Sequence, residues 1–182
     1  PKKATGFTPA ICNRLDRNTS GIIIVGKSLN ALQTMNQMIK ENKIQKYYLT
    51  IVKGVIKTPG VLKGYHKKNI KSNEVEIIDA YEEGSKYVET HYRPIVSNSH
   101  YTLLEIQLIT GRYHQIRVQF STIGNPLYGD MKYGTEYAKP GQQIALWSYK
   151  IEIQHPIKKQ EVSFQSNPPD EYPWSLFEWG KD

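Results

Sequence analysis

Asn13-Arg14-Leu15-Asp16-Arg17-Asn18-Thr19-Ser20-Gly21 runs directly into Ile22-Ile23-Ile24-Val25, so a polar turn carrying one carboxylate enters an apolar, β-branched block. Four such residues in a row favour a strand, and an apolar run without alternation reads as one buried on both faces. Asp16 sits between Arg14 and Arg17. Nearby positive charge favours the ionised carboxyl and lowers its pKa, which suits a nucleophile or charge stabiliser and makes a poor general acid. A surface turn holding a local ion pair would bring the same three charges together, so the rest of the chain has to decide between them.

Two short patterns in this region lead nowhere. Gly21 to Ser28 spells the phosphate-loop pattern G-x-x-x-x-G-K-[ST]. That loop must follow a strand and curl so that backbone N–H groups cradle phosphates, whereas three isoleucines and a valine resist the curl. Asn18-Thr19-Ser20 fits a glycosylation acceptor, but the chain shows no secretory signal.

Outward from the block, Ser28 offers a helix N-cap, and Leu29, Leu32, Met35, Met38 and Ile39 recur at helical spacing to about Asn42. The methionines read as core. Strand composition returns over Lys46 to Ile56, closed by Gly54 and the Thr58-Pro59-Gly60 turn, while the basic stretch Gly64 to Asn73 reads as loop. Further strands are expected over Glu74–Ile78, Tyr87–Val96, Thr102–Ile109 and Ala145–Ile153. Thr102, Leu104, Ile106 and Leu108 share one face at period two. Many long strands with few helices predict an α+β domain on a mixed, largely antiparallel sheet flanked by helices and loops.

The chain has 182 residues, 38% of them hydrophobic, enough for one core and one domain. Residues 161–182 hold Glu161, Asp170, Glu171, Glu178 and Asp182 against Lys181, a net −4 within an overall +7, which leaves +11 on residues 1–160. A body that basic suits a polyanion, since neutralised phosphates release counterions. The acidic tail, with Trp174 and Trp179, reads as cover for a sheet edge. A single cysteine, Cys12, excludes an internal disulfide framework and a multi-cysteine zinc site, and its apolar neighbours Ala10 and Ile11 favour a packed thiol. No apolar run approaches the ~20 residues of a membrane span, and a cytoplasmic monomer is expected.

The second informative stretch is Leu108-Ile109-Thr110-Gly111-Arg112-Tyr113-His114-Gln115-Ile116-Arg117-Val118. It joins a strand through a turn to a helix whose Ile116, Phe120 and Ile123 recur at i, i+4 and i+7 and end at Gly124. Arg112, His114 and Arg117 cluster at its start, without the matched spacing that a metal site would need. In the third stretch, Lys46-Tyr47-Tyr48-Leu49, adjacent tyrosines point to opposite faces, so only one can enter a given pocket.

Taken together, these stretches resemble the RluA-type RNA pseudouridine synthases. The first resembles the His-Arg-Leu-Asp-x-x-Thr-Ser-Gly signature, the second Gly-Arg-Thr-His-Gln-Ile-Arg, and the third Lys-x-Tyr. The match continues through Ile123-Gly124-Asn125-Pro126-Leu127-Tyr128-Gly129-Asp130 and from Ala145-Leu146 to His155-Pro156. Asn13, Tyr113 and Ile144 stand where the family has histidine, threonine and histidine.

The resemblance implies a pseudouridine synthase catalytic domain over residues 1–182, a fragment lacking its N-terminal part and any S4-like RNA-binding domain. It puts Asp16 on the catalytic aspartate, Arg117 on the arginine that pairs with it, and Tyr48 on the tyrosine that removes a proton from uracil or stacks on it. Arg14 falls on the arginine that fills the place of the extruded base. Arg17, Arg112, His114 and Lys46 are RNA-binding candidates, and Lys43, Lys67, Lys68 and Lys71 could follow the backbone. The isomerisation involves neither net redox change nor hydrolysis, so no cofactor or metal is expected. The wording around Asp16 is most similar to the ribosomal, RluC-like members, which makes large-subunit ribosomal RNA the expected partner, with transfer RNA the alternative. A non-catalytic RNA-binding module would need the charge but not Asp16, Tyr48 and Arg117 together. A glycoside hydrolase would need a second, protonated carboxyl group, and no Asp or Glu has a setting like that of Asp16.

Overall fold

The computed structural model describes residues 6–69, 74–155 and 158–180. Strand β4 (Ile44–Lys53) lies at the centre, flanked by β8 (Tyr101–Leu108) and β9 (Leu146–Gln154). The sheet runs on from β8 through β7 (Lys86–Ser97) and β5 (Gly60–Asn69) to β6 (Glu74–Ile78). Beyond β9 lies β10 (Glu161–Gln165), and a two-residue β2 (Ser20–Gly21) joins β9 in parallel. All other named pairs are antiparallel, including the small ribbon of β1 (Ala10–Ile11) with β3 (Val25–Gly26). With helices α1 (Leu29–Lys40) and α2 (Gln115–Thr122), this is the mixed, largely antiparallel α+β architecture expected.

Helix α1 forms where its sequence asks for it. Ser28 caps it, its hydroxyl accepting from the Ala31 N–H at 3.2 Å, and Met35 and Met38 pack with Ile44, Ile151 and Ile153. Burying such side chains contributes about 1.5–3 kcal/mol each, which outweighs the few tenths that separate helix propensities. Helix α2 covers the same sheet face further along, with Phe120, Ile116, Tyr48, Val52, Leu104, Ile106, Leu127 and Leu146 in one cluster. Ile123, expected on its apolar stripe, is instead the C-cap residue and is exposed. Two glutamines pin this helix. Gln115 Nε2 donates to the Thr90 hydroxyl at 2.9 Å and Gln119 Nε2 to the Leu62 carbonyl at 3.1 Å, so buried amides bolt α2 onto β7 and β5.

A register shift between Tyr47 and Tyr48 in the β4–β9 pairing sets which β9 residues face the helices. Tyr47 opposes Lys150 but Tyr48 opposes Ser148, so Tyr149 is an extra residue, a β-bulge. Ile151 and Ile153 therefore share a face with Ser148 and Leu146, while Trp147 and Tyr149 turn to the opposite face and pack against the cluster of Leu49, Ile51, Leu103, Trp174 and Phe177.

Two expectations change. The block Ile22–Val25 is not a doubly buried strand: Ile22 and Ile24 pack inward while Ile23 and Val25 are exposed. Gly21 forces this, lying so close to β9 that a Cβ there would stand 2.3 Å from the Ser148 carbonyl oxygen, after which the chain leaves the sheet. The Ile22 N–H then goes to that carbonyl and the Ile24 N–H to Asn13 Oδ1, so neither is free to cradle a phosphate. The basic stretch from Gly64 to Asn69 is strand β5, not loop: its lysines are not buried, while Gly64 and His66 are, and both edges are paired. Residues 70–73 of that call lie outside the described residues. The acidic tail does cover the β9 edge, through β10, and also inserts Trp174 and Phe177 into the core.

Candidate active site

A cavity of about 310 Å³ opens between the Asp16 turn, β4 and the start of α2, its wall including Asp16, Tyr48, Lys46, Arg14, Tyr113 and Arg117. The turn is closed by the Thr19 N–H donating to the Asp16 carbonyl at 2.9 Å, with Asn18 in the left-handed region at φ 70°. Asparagine tolerates that conformation because its short polar side chain bonds locally. Asn13 works as a clamp: its side-chain oxygen accepts the Ile24 N–H at 2.8 Å and ties the two ends of the turn together.

The carboxyl of Asp16 reaches the N-terminal end of α2, where the backbone N–H of His114 is hydrogen-bonded to it. Burial pushes this carboxyl above its ordinary value, against the pull of Arg117, the His114 N–H and Arg14. The expected lowering by flanking arginines is therefore outweighed. Arg14 contributes from the cavity mouth, but Arg17 is exposed and stands outside the cavity wall.

Arg117 is the best-held side chain of the site. Its Nε and Nη2 donate to Asp130 Oδ2 and Oδ1 at 2.9 and 2.7 Å, and its Nη1 donates to His114 Nε2 at 3.0 Å. The guanidinium carbon also lies 5.2 Å from the centre of the Tyr133 ring, within cation–π range. Its ion-pair partner is thus Asp130, not Asp16 as expected, and its field reaches Asp16 across the cavity. Asp130, 1% exposed, also accepts the backbone N–H groups of Lys132 and Tyr133 at 2.9 and 3.1 Å. Burial alone would raise its pKa, but the hydrogen bonds and charge of Arg117 bring it below the ordinary carboxylate value.

The ring of His114, an RNA-binding candidate in the sequence, is turned into the protein. It is 7% exposed, its Nε2 accepts from Arg117, and its Nδ1 therefore carries the proton and donates to the Tyr133 hydroxyl at 3.0 Å. Burial, with the positive charges of Arg117 and Lys132, lowers its pKa to about 4, so the imidazole is neutral at pH 7.

Tyr48 stands at the inner end, 8% exposed, its phenol pushed up to about 12 by burial and by the charge of Asp16, with a hydrogen bond to Ser148 opposing. Tyr47 faces the other side, its hydroxyl donating to Gln45 Oε1 at 2.9 Å. The Lys46 ammonium lies beside Gly111, where a Cβ would stand 3.3 Å from Nζ, and burial lowers its pKa. Arg112 lines the mouth, exposed. Lys43 and Lys67 are paired with Glu41 and Glu82, and Lys71 lies outside the described residues. Asp130, Tyr133 and Ser148, which hold Arg117, His114 and Tyr48, were not singled out in the sequence, although Asp130 ends a quoted motif and an Asp after a glycine was a usable signal.

The model of a family described as RNA pseudouridylate synthase matches residues 1–122. Ribosomal large subunit pseudouridine synthase D of Nitrosomonas europaea is 31% identical over 172 residues, covering 88% of this chain and 48% of that protein. Ribosomal large subunit pseudouridine synthase C of Haemophilus ducreyi is 33% identical over 175 residues, covering 89% and 52%. The chain thus spans about half the length of the curated relatives it matches. Among solved structures, human RNA pseudouridylate synthase domain containing 1 superimposes with a TM-score of 0.77 at 22% identity, over 92% of this chain and 71% of that one, a likeness of fold. The family model and the relatives agree, and the chain belongs to the RNA pseudouridylate synthase family, in its RluA-type branch.

Proposed function

We propose that this chain isomerises specific uridines of structured RNA to pseudouridine, with large-subunit ribosomal RNA as substrate. The observation that carries the reading is the half-buried carboxyl of Asp16, held at the start of α2 in the field of Arg117 and in the same cavity as Tyr48. The named relatives that act on the ribosomal large subunit support the choice of RNA.

The reaction breaks the bond between ribose C1′ and uracil N1, turns the base, and joins C1′ to C5. The C5 proton then leaves and N1 gains one, so atoms balance without a co-reactant. Asp16 serves as a carboxylate, either bonding to C1′ or promoting a glycal. Arg117, the His114 N–H and Arg14 favour the charged form that burial disfavours. Tyr48 takes the C5 proton. A phenol at about 12 is protonated at rest, so Tyr48 must pass its own proton on, to N1 by way of solvent, as it takes the one from C5, and the Ser148 hydrogen bond favours the phenolate formed on the way.

A base paired or stacked in folded RNA must first be extruded, at a cost of a few kcal/mol. Arg14, exposed at the mouth two residues before Asp16, fills the vacated place, where a planar guanidinium both stacks and hydrogen-bonds.

The test is tritium release from C5-labelled uridine in unmodified large-subunit rRNA and, separately, in bulk tRNA, with Asp16→Ala as control. Release from rRNA that disappears in the variant is expected. Release from tRNA alone would overturn the substrate, and release that survives in Asp16→Ala would overturn the mechanism.

A further inference from the structure

Of the aromatic side chains that line the cavity, Tyr48 and Tyr113 differ in kind. Tyr48 is sunk at the inner end, while Tyr113 is 40% exposed at the mouth. Its ring lies on the imidazole of His114, centroids 3.7 Å apart and planes 20° apart. One face is therefore taken by a buried ring that is itself fixed by Arg117 and Tyr133. The Tyr113 backbone is held as well, its carbonyl 2.9 Å from His66 Nε2. An exposed aromatic ring anchored this firmly has lost its rotamer freedom before any ligand arrives, so stacking on it carries little ordering cost.

The exposed charged side chains of the cavity wall are positive. Lys68 Nζ stands 5.7 Å from the ring centre, Arg112 precedes Tyr113 in the chain and is exposed at the same mouth, and Arg14 completes the rim. An aromatic face set among cations is the arrangement that binds single-stranded nucleic acid, bases stacking on the ring while the cations follow the phosphates.

We propose that Tyr113 is a stacking platform for an RNA base next to the extruded uridine, with Lys68 and Arg112 holding the adjoining phosphates. The assignment rests on the reaction proposed above. It makes Tyr113 a residue that sets affinity and local substrate choice, while Asp16 and Tyr48 act on the target itself. Stacking is tolerant of base identity, so the platform recognises an unpaired neighbour and disfavours a target whose neighbours stay in a duplex.

The test compares wild type, Tyr113→Phe and Tyr113→Thr. Affinity is read by fluorescence anisotropy on end-labelled, unmodified transcripts of large-subunit rRNA and on bulk tRNA, alongside the single-turnover rate of tritium release at saturating RNA. Circular dichroism melting checks that each variant folds. Tyr113→Phe, which keeps the ring, is expected to bind within twofold of wild type, and Tyr113→Thr to bind roughly ten- to a hundredfold more weakly. The saturated rate should change little beside that loss. Tyr113→Thr binding within twofold of wild type would overturn the platform. So would intact affinity with a fallen saturated rate, since the ring would then merely steady His114 and Arg117. If wild type releases no tritium, the proposed reaction fails, but the affinity comparison needs no turnover and still decides the platform. Absence of wild-type binding to either RNA would overturn both.

Discussion

Arg117 and Asp130 face each other in a two-point ion pair, Nε to Oδ2 at 2.9 Å and Nη2 to Oδ1 at 2.7 Å, with the Asp130 side chain wholly shielded from water. Removing one partner of such a pair strands the other charge in a low-dielectric interior. Asp130→Asn should cost about 3 kcal/mol or more in urea unfolding, and tritium release should fall with it, because the guanidinium whose field reaches Asp16 loses its anchor.

Asp16 has the opposite balance. Burial lifts its folded pKa above the ordinary value of 3.8, so the folded state holds the proton more tightly than the unfolded one. Stability from this group is fully present below about 3.8 and is lost as pH rises through the folded value. Asp16→Asn is therefore expected to raise the melting temperature at pH 7, with the gain shrinking as pH falls towards 4, while tritium release is abolished. Equal melting temperatures at pH 7 would count against a burial penalty on the carboxyl.

His114 provides a second titration with its own window. Its pKa is near 6.5 in the unfolded chain and about 4 in the fold, so the unfolded state binds the extra proton first. The stability it contributes is complete above about 6.5 and declines as pH falls to about 4, by up to about 3 kcal/mol. Urea midpoints measured from pH 7 to pH 4 should show this slope, and His114→Gln should flatten it.

Tyr48→Phe keeps the ring and loses the hydroxyl. Loss of general acid–base chemistry typically costs about 10²–10⁴-fold, so single-turnover tritium release should drop by that order while RNA affinity holds. Unchanged release would reassign Tyr48 to stacking alone.

Arg14→Lys keeps the charge at the cavity mouth and loses the planar fork. Tritium release at limiting enzyme is expected to fall by roughly tenfold or more, close to the value for Arg14→Ala, since an ammonium neither stacks nor makes paired hydrogen bonds. Full activity of the lysine variant would reduce Arg14 to a phosphate contact.

Local features of this protein could be read before the fold was seen. Ser28 and the methionine spacing specify α1, and period two specifies β8. The turn around Asp16 stands out because a carboxylate between two arginines is locally unusual. What stayed hidden depends on partners distant in sequence. The lysines of β5 look like loop residues until β6 and β7 pair with both its edges. The partner of Arg117 is thirteen residues away, on the far side of a turn. The same distance explains the reversed pKa of Asp16: Arg14 and Arg17 are visible in the sequence, whereas burial is supplied by elements a hundred residues further on.

The extra residue at Tyr149 has a consequence for how this chain tolerates change. It is what puts Leu146 and Ser148 on the face of the cavity, Leu146 in its wall, while Ile151 and Ile153 keep that same face, and it turns Trp147 and Tyr149 away. Deleting Ser148 would restore a regular ladder and bring Tyr149 opposite Tyr48, onto the face that carries Leu146 and the cavity. The sheet would gain pairing and the pocket would fill. The opening in this protein is thus a matter of counting, one residue more on one strand than on its neighbour. Loss of Ser148 should be absent from any library selected for turnover, even where the variant folds, whereas loss of Tyr149 itself leaves its neighbours on their present faces.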